Sequence, residues 1–270
     1  MSDLTGIVLD LPEATYHAHP SLSSTGARKL LDSPARFHYA QTHPQEHKTA
    51  FDLGSAVHSK VLGTGSPVVS LPFDSFRSKE AQNERDQVYA YGGIPMLAKD
   101  LTEVDDISEA VLAHPTAKAL FEQEGDAEAS VFATDPDTGI KLRARFDYLA
   151  PVCVDLKTSG KDASPAQFAR TVASFGYDVQ EGHYTDVYEF ATGERRDMVF
   201  VVVETAPPHL VAVHQLDRDF RDMGRVKARR ARELFAECTE SGVWPGYPPA
   251  ISLVVPPMYA IYDFQDRYES

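Results

Sequence analysis

The sequence predicts an α/β protein in which a central mixed sheet is flanked by helices and preceded by a helical N-terminal region. Two observations predict this class. Runs with the apolar alternation of strands lie between residues 130 and 216, and segments with helix start signals lie before, between and after them. Hairpin strands mixed with helices favour helices packed on a sheet. With 270 residues, 43% of them hydrophobic, the chain can bury a substantial core, so we expect one domain over residues 1–270.

The N-terminal part, residues 1–62, is expected to be mainly helical after a short extended start. Ser23 or Ser24 can cap the first helix, because a serine hydroxyl accepts a hydrogen bond from an otherwise unpaired backbone N–H. Residues 63–127 give the weakest signals, although the polar stretch 78–87 has a helical composition. Their role is left open by the sequence.

Residues 128–217 hold the predicted sheet and its helices. Asp135-Pro-Asp-Thr-Gly139 is typical of a hairpin turn. Ser164 can cap a helix that begins at Pro165, and a second helix is expected from about Tyr177 to Phe190. Residues 218–270 predict a C-terminal helix followed by a proline-rich tail. Strands are expected over residues 130–134, 140–149, 152–157, 198–205 and 210–216.

The strand at 152–157 carries the most informative polar residues. Asp155 and Lys157 project from the same face of it, about 7 Å apart at the usual strand rise. Asp147 lies near the far end of the neighbouring strand. Two carboxylates beside a lysine suit a Mg²⁺ site that handles phosphate. The alternative is a solvated strand face, which is the usual setting of an Asp-x-Lys pair.

The helix that follows strengthens the prediction of a catalytic site over that of a solvated strand face. Gln180 and Tyr184 are four residues apart and therefore share one helical face. This combination resembles the core of the PD-(D/E)XK nuclease superfamily, and most closely its RecB-like branch. One departure is Phe146, where the family more often has proline. The matching positions are Asp147, Asp155, Lys157, Gln180 and Tyr184, with His58 upstream.

Two further segments are similar to RecE-type exonucleases of the exodeoxyribonuclease VIII kind. They are the N-terminal run from Tyr16 to Phe37 and the late Trp244-Pro-Gly-Tyr247. The resemblance implies a PD-(D/E)XK nuclease-like fold and a metal-dependent exodeoxyribonuclease. Such an enzyme hydrolyses phosphodiester bonds from duplex DNA ends, with 5′-to-3′ polarity, for phage-type homologous recombination. An endonuclease or flap nuclease of the same superfamily, and a non-catalytic DNA-binding or assembly protein, remain as alternatives.

The resemblance also implies the cofactor and the roles of the site residues. Mg²⁺, for which Mn²⁺ can substitute, would be held by Asp147 and Asp155 with help from His58 and the backbone carbonyl of Leu156. Lys157 would orient the attacking water and stabilise developing negative charge. Gln180 and Tyr184 would position Lys157, the water or a phosphate. Glu128 is either a further acidic residue of the site or a surface carboxylate.

The formal net charge of −14 does not exclude DNA binding, because affinity depends on where cations cluster. The expected partners are double-stranded DNA ends, a single-strand annealing recombinase and further copies of the chain, with a homo-tetramer implied by resemblance. Arg225, Arg229 and Arg230 lie on the predicted C-terminal helix, where the alternative to DNA contact is a solvated helix face. The candidate DNA-binding residues are Arg28, Arg36, Arg143, Arg145, Arg225, Arg229 and Arg230.

The two cysteines, Cys153 and Cys238, give neither a disulfide framework nor the four thiolates of an iron–sulfur cluster. We therefore expect a cluster-free protein from a reducing compartment. The sequence shows neither a long apolar run nor a signal-like leader. The expected location is the cytoplasm of a bacterial or phage-infected cell, with no membrane association.

Overall fold

The computed structural model describes residues 4–43 and 52–269. Residues 44–51, which fall within the predicted helical N-terminal part, lie outside the described residues. The strands are β1 (Gly6–Val8), β2 (Val68–Leu71), β3 (Ile94–Leu97), β4 (Asp126–Thr134), β5 (Lys141–Leu149), β6 (Val152–Ser159), β7 (Asp197–Glu204) and β8 (Val211–His214). The helices are α1 (Glu13–Ala18), α2 (Ser24–Asp32), α3 (Pro34–Thr42), α4 (Asp52–Leu62), α5 (Lys79–Ala90), α6 (Ala98–Ala113), α7 (Pro115–Phe121), α8 (Pro165–Phe175), α9 (Tyr177–Thr192), α10 (Arg218–Ser241) and α11 (Met258–Tyr268).

A mixed sheet of six strands, in the order β1-β4-β5-β6-β7-β8, forms the centre of the fold. Strands β6 and β7 run parallel, and the other neighbouring pairs run antiparallel. Because parallel neighbours need a long crossover, α8 and α9 connect β6 to β7. The predicted α/β class with a central mixed sheet is confirmed. Strands β2 and β3 form a separate parallel pair.

Helices cover the sheet on both faces and enclose two apolar cores. On one face, Leu30 of α2, Val187 of α9 and Ala231 of α10 lie in the first core. On the other face, Val57 of α4 and Ile107 of α6 lie in the second. Strand β6 contributes to both cores, because its side chains alternate between the faces. The strand that carries the candidate site is therefore central and buried.

The predicted helix starts agree with the structure. The Ser23 hydroxyl accepts a hydrogen bond from the Gly26 N–H at 3.1 Å, and Ser164 caps α8 at the Gln167 N–H. The hairpin turn after β4 is also confirmed, because the Gly139 N–H donates to the Asp135 carbonyl oxygen at 2.8 Å. Strand β4 begins at residue 126, earlier than the predicted start at residue 130. The predicted tail contains α11, which the sequence did not indicate.

Helix α9 is held against α10 at an unusually close crossing. A Cβ atom added to Gly224 would lie 2.1 Å from the carbonyl oxygen of Asp178, and one added to Gly182 would lie 2.7 Å from the carbonyl carbon of Gly224. A buried guanidinium fixes the same pair: Arg232 donates to Asp186 of α9 and to Asp135 of the hairpin turn. These contacts fix the position of the helix that carries Gln180.

The segment that follows α10 is exposed, in contrast to the helices that pack on the sheet. Helix α11 has no buried residue, and Ile251, Leu253 and Val254 of the preceding stretch are fully or almost fully exposed. Within the described part of the chain, no helix is long and apolar enough to cross a membrane.

Candidate active site

The site forms where β5 and β6 stop pairing through their backbones. Tyr148 and Val154 are paired residues of the two strands. Two residues further along β6, the Leu156 N–H donates instead to the side chain of Asp147, with 2.7 Å between the nitrogen and Oδ2. A carboxylate thus takes the place of a backbone acceptor. This hydrogen bond places Asp147 between the strands and next to Asp155.

Asp155, Lys157 and Gln180 form one half of the site, called here the lysine half. Asp155 is 2% exposed, and its Oδ2 lies 2.5 Å from Lys157 Nζ. Its other oxygen, Oδ1, accepts a hydrogen bond from the Gln180 amide at 2.5 Å. The sequence predicted that Gln180 would position Lys157, the water or a phosphate. In the structure the Gln180 amide donates to Asp155, the carboxylate that contacts Lys157, so the predicted positioning of Lys157 would be indirect.

Charge balance keeps Lys157 protonated. Burial by itself lowers the pKa of this ammonium group, but the nearby carboxylates of Asp155 and Asp147 outweigh burial and raise the pKa. Burial also raises the pKa of Asp155, and Lys157 opposes that change. The lysine half therefore has a cation matched to its buried carboxylate.

Tyr177 is a site residue that the sequence analysis missed. Its ring lies under Lys157, with 4.8 Å from Nζ to the ring centroid, a geometry in which a cation is attracted to the aromatic face. The signal was available, because Tyr177 precedes Gln180 by three residues and so shares its helical face. Tyr184 is buried against Phe146, with 4.9 Å between ring centroids. Burial raises its pKa well above the usual value, so its hydroxyl keeps its proton.

His58, Glu128 and Asp147 form the other half, called here the acidic half. Each offers one ligand atom, and these atoms lie within 4.8 Å of one another. His58 Nδ1 lies 3.5 Å from Asp147 Oδ2. Glu128 belongs to the site: it stands opposite Asp147, between the paired residues Ala127–Tyr148 and Ala129–Phe146. It adopts a left-handed backbone conformation with φ of 53°.

The acidic half brings two carboxyl groups close together. Burial and the charge of Asp147 raise the pKa of Glu128 to about 7, although Arg145, 3.9 Å away, opposes the change. Repulsion between neighbouring carboxylates is offset when a cation binds between them. Two carboxylates and an imidazole are suitable ligands for Mg²⁺ or Mn²⁺. The residues present therefore fit the divalent ion that the sequence implied.

The structure brings two of the predicted ligands together and adds a third residue to them. Asp147 and His58 lie together as expected, and Glu128 joins them. Asp155 lies beside this group, where its oxygens contact Gln180 and Lys157, and it stays a predicted ligand. The backbone carbonyl of Leu156 stays a predicted ligand on the same strand.

Two of the predicted DNA-binding arginines have structural contacts instead. Arg143 is 9% exposed, and its guanidinium donates to the carbonyl oxygens of His19 and Ser21. Arg145 donates to the Leu11 carbonyl at 2.6 Å and to the Ser130 hydroxyl at 3.0 Å. The N-terminal segment covers both side chains, so this placement does not fit the predicted DNA contact.

The other predicted arginines are more accessible. Arg28 donates to the Phe175 carbonyl at the end of α8, and Arg36 pairs with Asp32 at 2.9 Å. On α10, Arg230 pairs with Glu237 at 2.9 Å, whereas Arg225 and Arg229 are exposed. These side chains stay candidates for DNA contact.

Known proteins are similar to this chain in fold and in sequence family. A search of curated proteins finds no significant match. Among solved structures, a Eubacterium rectale protein provisionally described as an exonuclease is similar in fold, with a TM-score of 0.58 and 14% identity over 87% of this chain and 88% of that one. A phage-related exonuclease from Haemophilus somnus 129PT is 9% identical over 84% of this chain and 99% of that one, with a TM-score of 0.32 that is too low to support an argument. Residues 23–253 match the family described as PDDEXK-like domain of unknown function (DUF3799). The chain therefore belongs to this PDDEXK-like family, within the PD-(D/E)XK nuclease superfamily that its motifs resemble.

Proposed function

We propose that this protein is a metal-dependent exodeoxyribonuclease that hydrolyses phosphodiester bonds from the ends of duplex DNA. The observation that carries the proposal is the meeting of two unlike halves where β5 and β6 separate. The acidic half offers His58, Glu128 and Asp147 to a cation. The lysine half presents a protonated Lys157 beside it. Membership of the PDDEXK-like family supports the nuclease class.

The residues divide the work of hydrolysis. When bound in the acidic half, Mg²⁺ supplies charge neutralisation and lowers the pKa of a bound water. Lys157 donates hydrogen bonds to the attacking water or to the phosphate oxygen that gains charge. Asp155 holds Lys157 in place, and the Gln180 amide holds Asp155. Tyr184 keeps its proton, so its hydroxyl serves as a donor rather than as a base.

Linear and covalently closed circular duplex DNA of the same sequence distinguish the kinds of nuclease. With Mg²⁺ as the sole divalent ion, we expect linear DNA to be degraded and closed circles to remain intact. Removing Mg²⁺ with a chelator stops the reaction, and Mg²⁺ or Mn²⁺ restores it. The Asp155→Asn variant is the control for a contaminating nuclease, because it weakens the carboxylate that holds Lys157.

The other outcomes identify the alternatives. Linearisation of the circles indicates an endonuclease, and cutting limited to branched substrates indicates a flap nuclease. Binding of DNA without cleavage under all metal conditions contradicts catalysis and indicates a DNA-binding or assembly protein. Labels at the 5′ or 3′ end then test the proposed 5′-to-3′ polarity, since the label at the attacked end is released first.

A homo-oligomer, with four subunits favoured by resemblance, and cooperation with a single-strand annealing recombinase complete the proposal for a role in phage-type recombination. A closed ring around DNA would prevent loss of the substrate between cuts. Light scattering should then detect a species well above the chain mass of 29.8 kDa. Trap DNA added after initiation should barely slow digestion. A monomer that the trap arrests contradicts the ring and leaves a distributive nuclease.

A further inference from the structure

A second charged cavity lies on another side of the helix that carries Gln180. It has a volume of about 50 Å³ and is lined by α9, the beginning of β7 and α10. Its charged lining residues are Arg195, Arg196, Arg221, Arg225, Glu181 and Asp197. Arg195 pairs with Asp186 and Glu189, and the Asp197 side chain is 65% exposed, so Glu181 is the buried carboxyl group of the cavity. None of these residues belongs to the lysine half or the acidic half.

The carboxyl group of Glu181 is buried without a complete set of partners. Glu181 is 4% exposed, and its Oε2 has no hydrogen-bond partner among the described residues. An oxygen in that position costs free energy unless a ligand or water satisfies it. Burial raises the pKa of Glu181 to about 7, although Arg221, Arg225 and Arg195 oppose the change. The arginines therefore act on the carboxyl group without neutralising the effect of burial.

The arginines around it have donors available for a ligand. Arg221 lies 3.6 Å from its nearest carboxylate, Asp197, and Arg225 lies 4.0 Å from Asp222. Both distances are too long for a hydrogen bond. Arg196 lies over the ring of Tyr188, at 4.8 Å from the centroid. Because each guanidinium carries five N–H donors, the cavity is rich in donors, and its buried acceptor, Glu181 Oε2, has no partner among the described residues.

We propose that this cavity binds a phosphate ion that carries a proton. The Arg221 and Arg225 guanidinium groups donate to its anionic oxygens, and Glu181 Oε2 accepts a hydrogen bond from its P–OH group. The cavity volume of about 50 Å³ suits a phosphate ion. One water needs about 10–15 Å³, and a phosphate has four oxygens. The inference rests on residues outside the lysine half and the acidic half, and one of them, Arg225, is also a candidate for DNA contact.

The acceptor Glu181 Oε2 should make the cavity selective for inorganic phosphate over other oxyanions. Near pH 8, inorganic phosphate still carries one proton, whereas sulfate carries none and a phosphate monoester is almost fully ionised. The Glu181 carboxylate accepts a hydrogen bond from the proton of inorganic phosphate, whereas it repels sulfate and the monoester, which offer no proton. A hydrogen bond to a charged group is worth about 1.5–3 kcal/mol, which corresponds to a preference of at least about tenfold. A phosphodiester also lacks the proton, so a DNA backbone is a poor ligand for this cavity.

Calorimetric titration near pH 8 tests the proposal, with no DNA or divalent ion present. The probes are inorganic phosphate, sulfate and the monoester 5′-dAMP at one ionic strength, so that general salting effects on stability are matched. We expect one phosphate per chain and binding of sulfate and 5′-dAMP at least about tenfold weaker. Tighter binding of 5′-dAMP would identify a nucleotide site, and equal binding of sulfate would contradict the role of Glu181.

Variants assign the binding to the cavity. Arg221→Gln combined with Arg225→Gln should abolish phosphate binding. The matched control is Arg218→Gln on the same helix, where the side chain is 88% exposed, and binding should be unchanged. Unchanged binding by the double variant overturns the proposal. If the double variant does not fold, Glu181→Gln decides: an amide can donate as well as accept, so the preference for phosphate over sulfate should disappear. A preserved preference refutes the assignment.

Discussion

The two halves of the site treat their charges in opposite ways. In the lysine half, the buried carboxylate of Asp155 contacts a cation and an amide donor. In the acidic half, Glu128 and Asp147 face each other. The Arg145 guanidinium is 3.9 Å from Glu128, too far for a hydrogen bond. The first half is organised before any ligand arrives. The second holds two carboxylates that repel each other, and a bound cation offsets that repulsion.

The contrast explains why the halves stand side by side. A preorganised donor such as Lys157 stabilises developing charge without reorganisation during the reaction. A site for a cation must instead keep carboxylates ionised and close together, which is unfavourable in the absence of the ion. Placing Asp147 between β5 and β6 lets one residue connect the halves, since it bonds to Leu156 of the strand that carries Lys157.

The largest expected effect comes from removing the cation of the lysine half. Lys157→Ala should lower the single-turnover cleavage rate by about 100- to 1,000-fold, the usual result of losing one donor to developing charge. DNA affinity should change little, because the interaction strengthens in the transition state. Lys161→Ala, at an exposed lysine just after β6, is the matched control and should cleave normally. A loss confined to DNA affinity would make Lys157 a phosphate anchor instead.

The next effect is the response of the acidic half to metal. Mg²⁺ at about 100 times its dissociation constant should stabilise the wild-type protein by about 2.7 kcal/mol, measured by urea unfolding. Glu128→Gln should remove most of this gain, because it deletes one anionic ligand. Glu124→Gln, at an exposed carboxylate before β4, should keep it. Stability that does not respond to Mg²⁺ in the wild type would contradict a metal site.

A smaller effect concerns pH in the absence of divalent ions. The pKa of Glu128 rises from 4.5 to about 7 on folding, so the folded state binds more protons than the unfolded state between these values. Its contribution to stability is complete below pH 4.5 and decreases as the pH rises through about 7. Glu128→Gln should flatten that part of the profile. Glu181, with a pKa also near 7, should account for a residual slope in this variant. If stability depends on pH in Glu128→Gln as it does in the wild type, the pKa of Glu128 does not rise on folding.

The smallest effect tests the strain at Glu128. Glu128→Gly should be more stable than Glu128→Ala by about 1 kcal/mol, because the left-handed conformation costs alanine about 1–2 kcal/mol and the flexibility of glycine in the unfolded chain offsets part of that gain. The same pair of substitutions at Glu124 should show the opposite order or no difference. Equal stabilities of Glu128→Gly and Glu128→Ala, measured by urea unfolding, would mean that the backbone is relaxed at this position.

The sequence predicted the lysine half better than the acidic half, for a physical reason. The positions of Asp155 and Lys157 follow from strand periodicity, and those of Gln180 and Tyr184 from helical spacing, so local patterns reveal them. The position of Glu128 depends on a left-handed backbone and on register with β5. Neither leaves a local pattern in the sequence, which is why Glu128 had an equally good reading as a surface carboxylate.

The same limit applies to the fold. Helices with serine caps, such as those that start after Ser23 and Ser164, were predicted from a few residues. In residues 63–127, the helical composition of 78–87 agrees with α5, but β2 and β3 were not predicted, because they are four-residue strands that pair across that helix. Arg143 and Arg145 were expected to reach DNA, since alternation on a strand does not reveal the N-terminal segment that covers them.

The hydrogen bond from Leu156 to Asp147 makes a single amide proton into a reporter of the site. Asp147 Oδ2 accepts this bond and also faces His58, so any change of charge at that oxygen alters the magnetic environment of the Leu156 amide. In a spectrum of the ¹⁵N-labelled protein, this resonance should shift when a divalent ion is added. It would do so without DNA or cleavage, and an inactive variant could be followed in the same way.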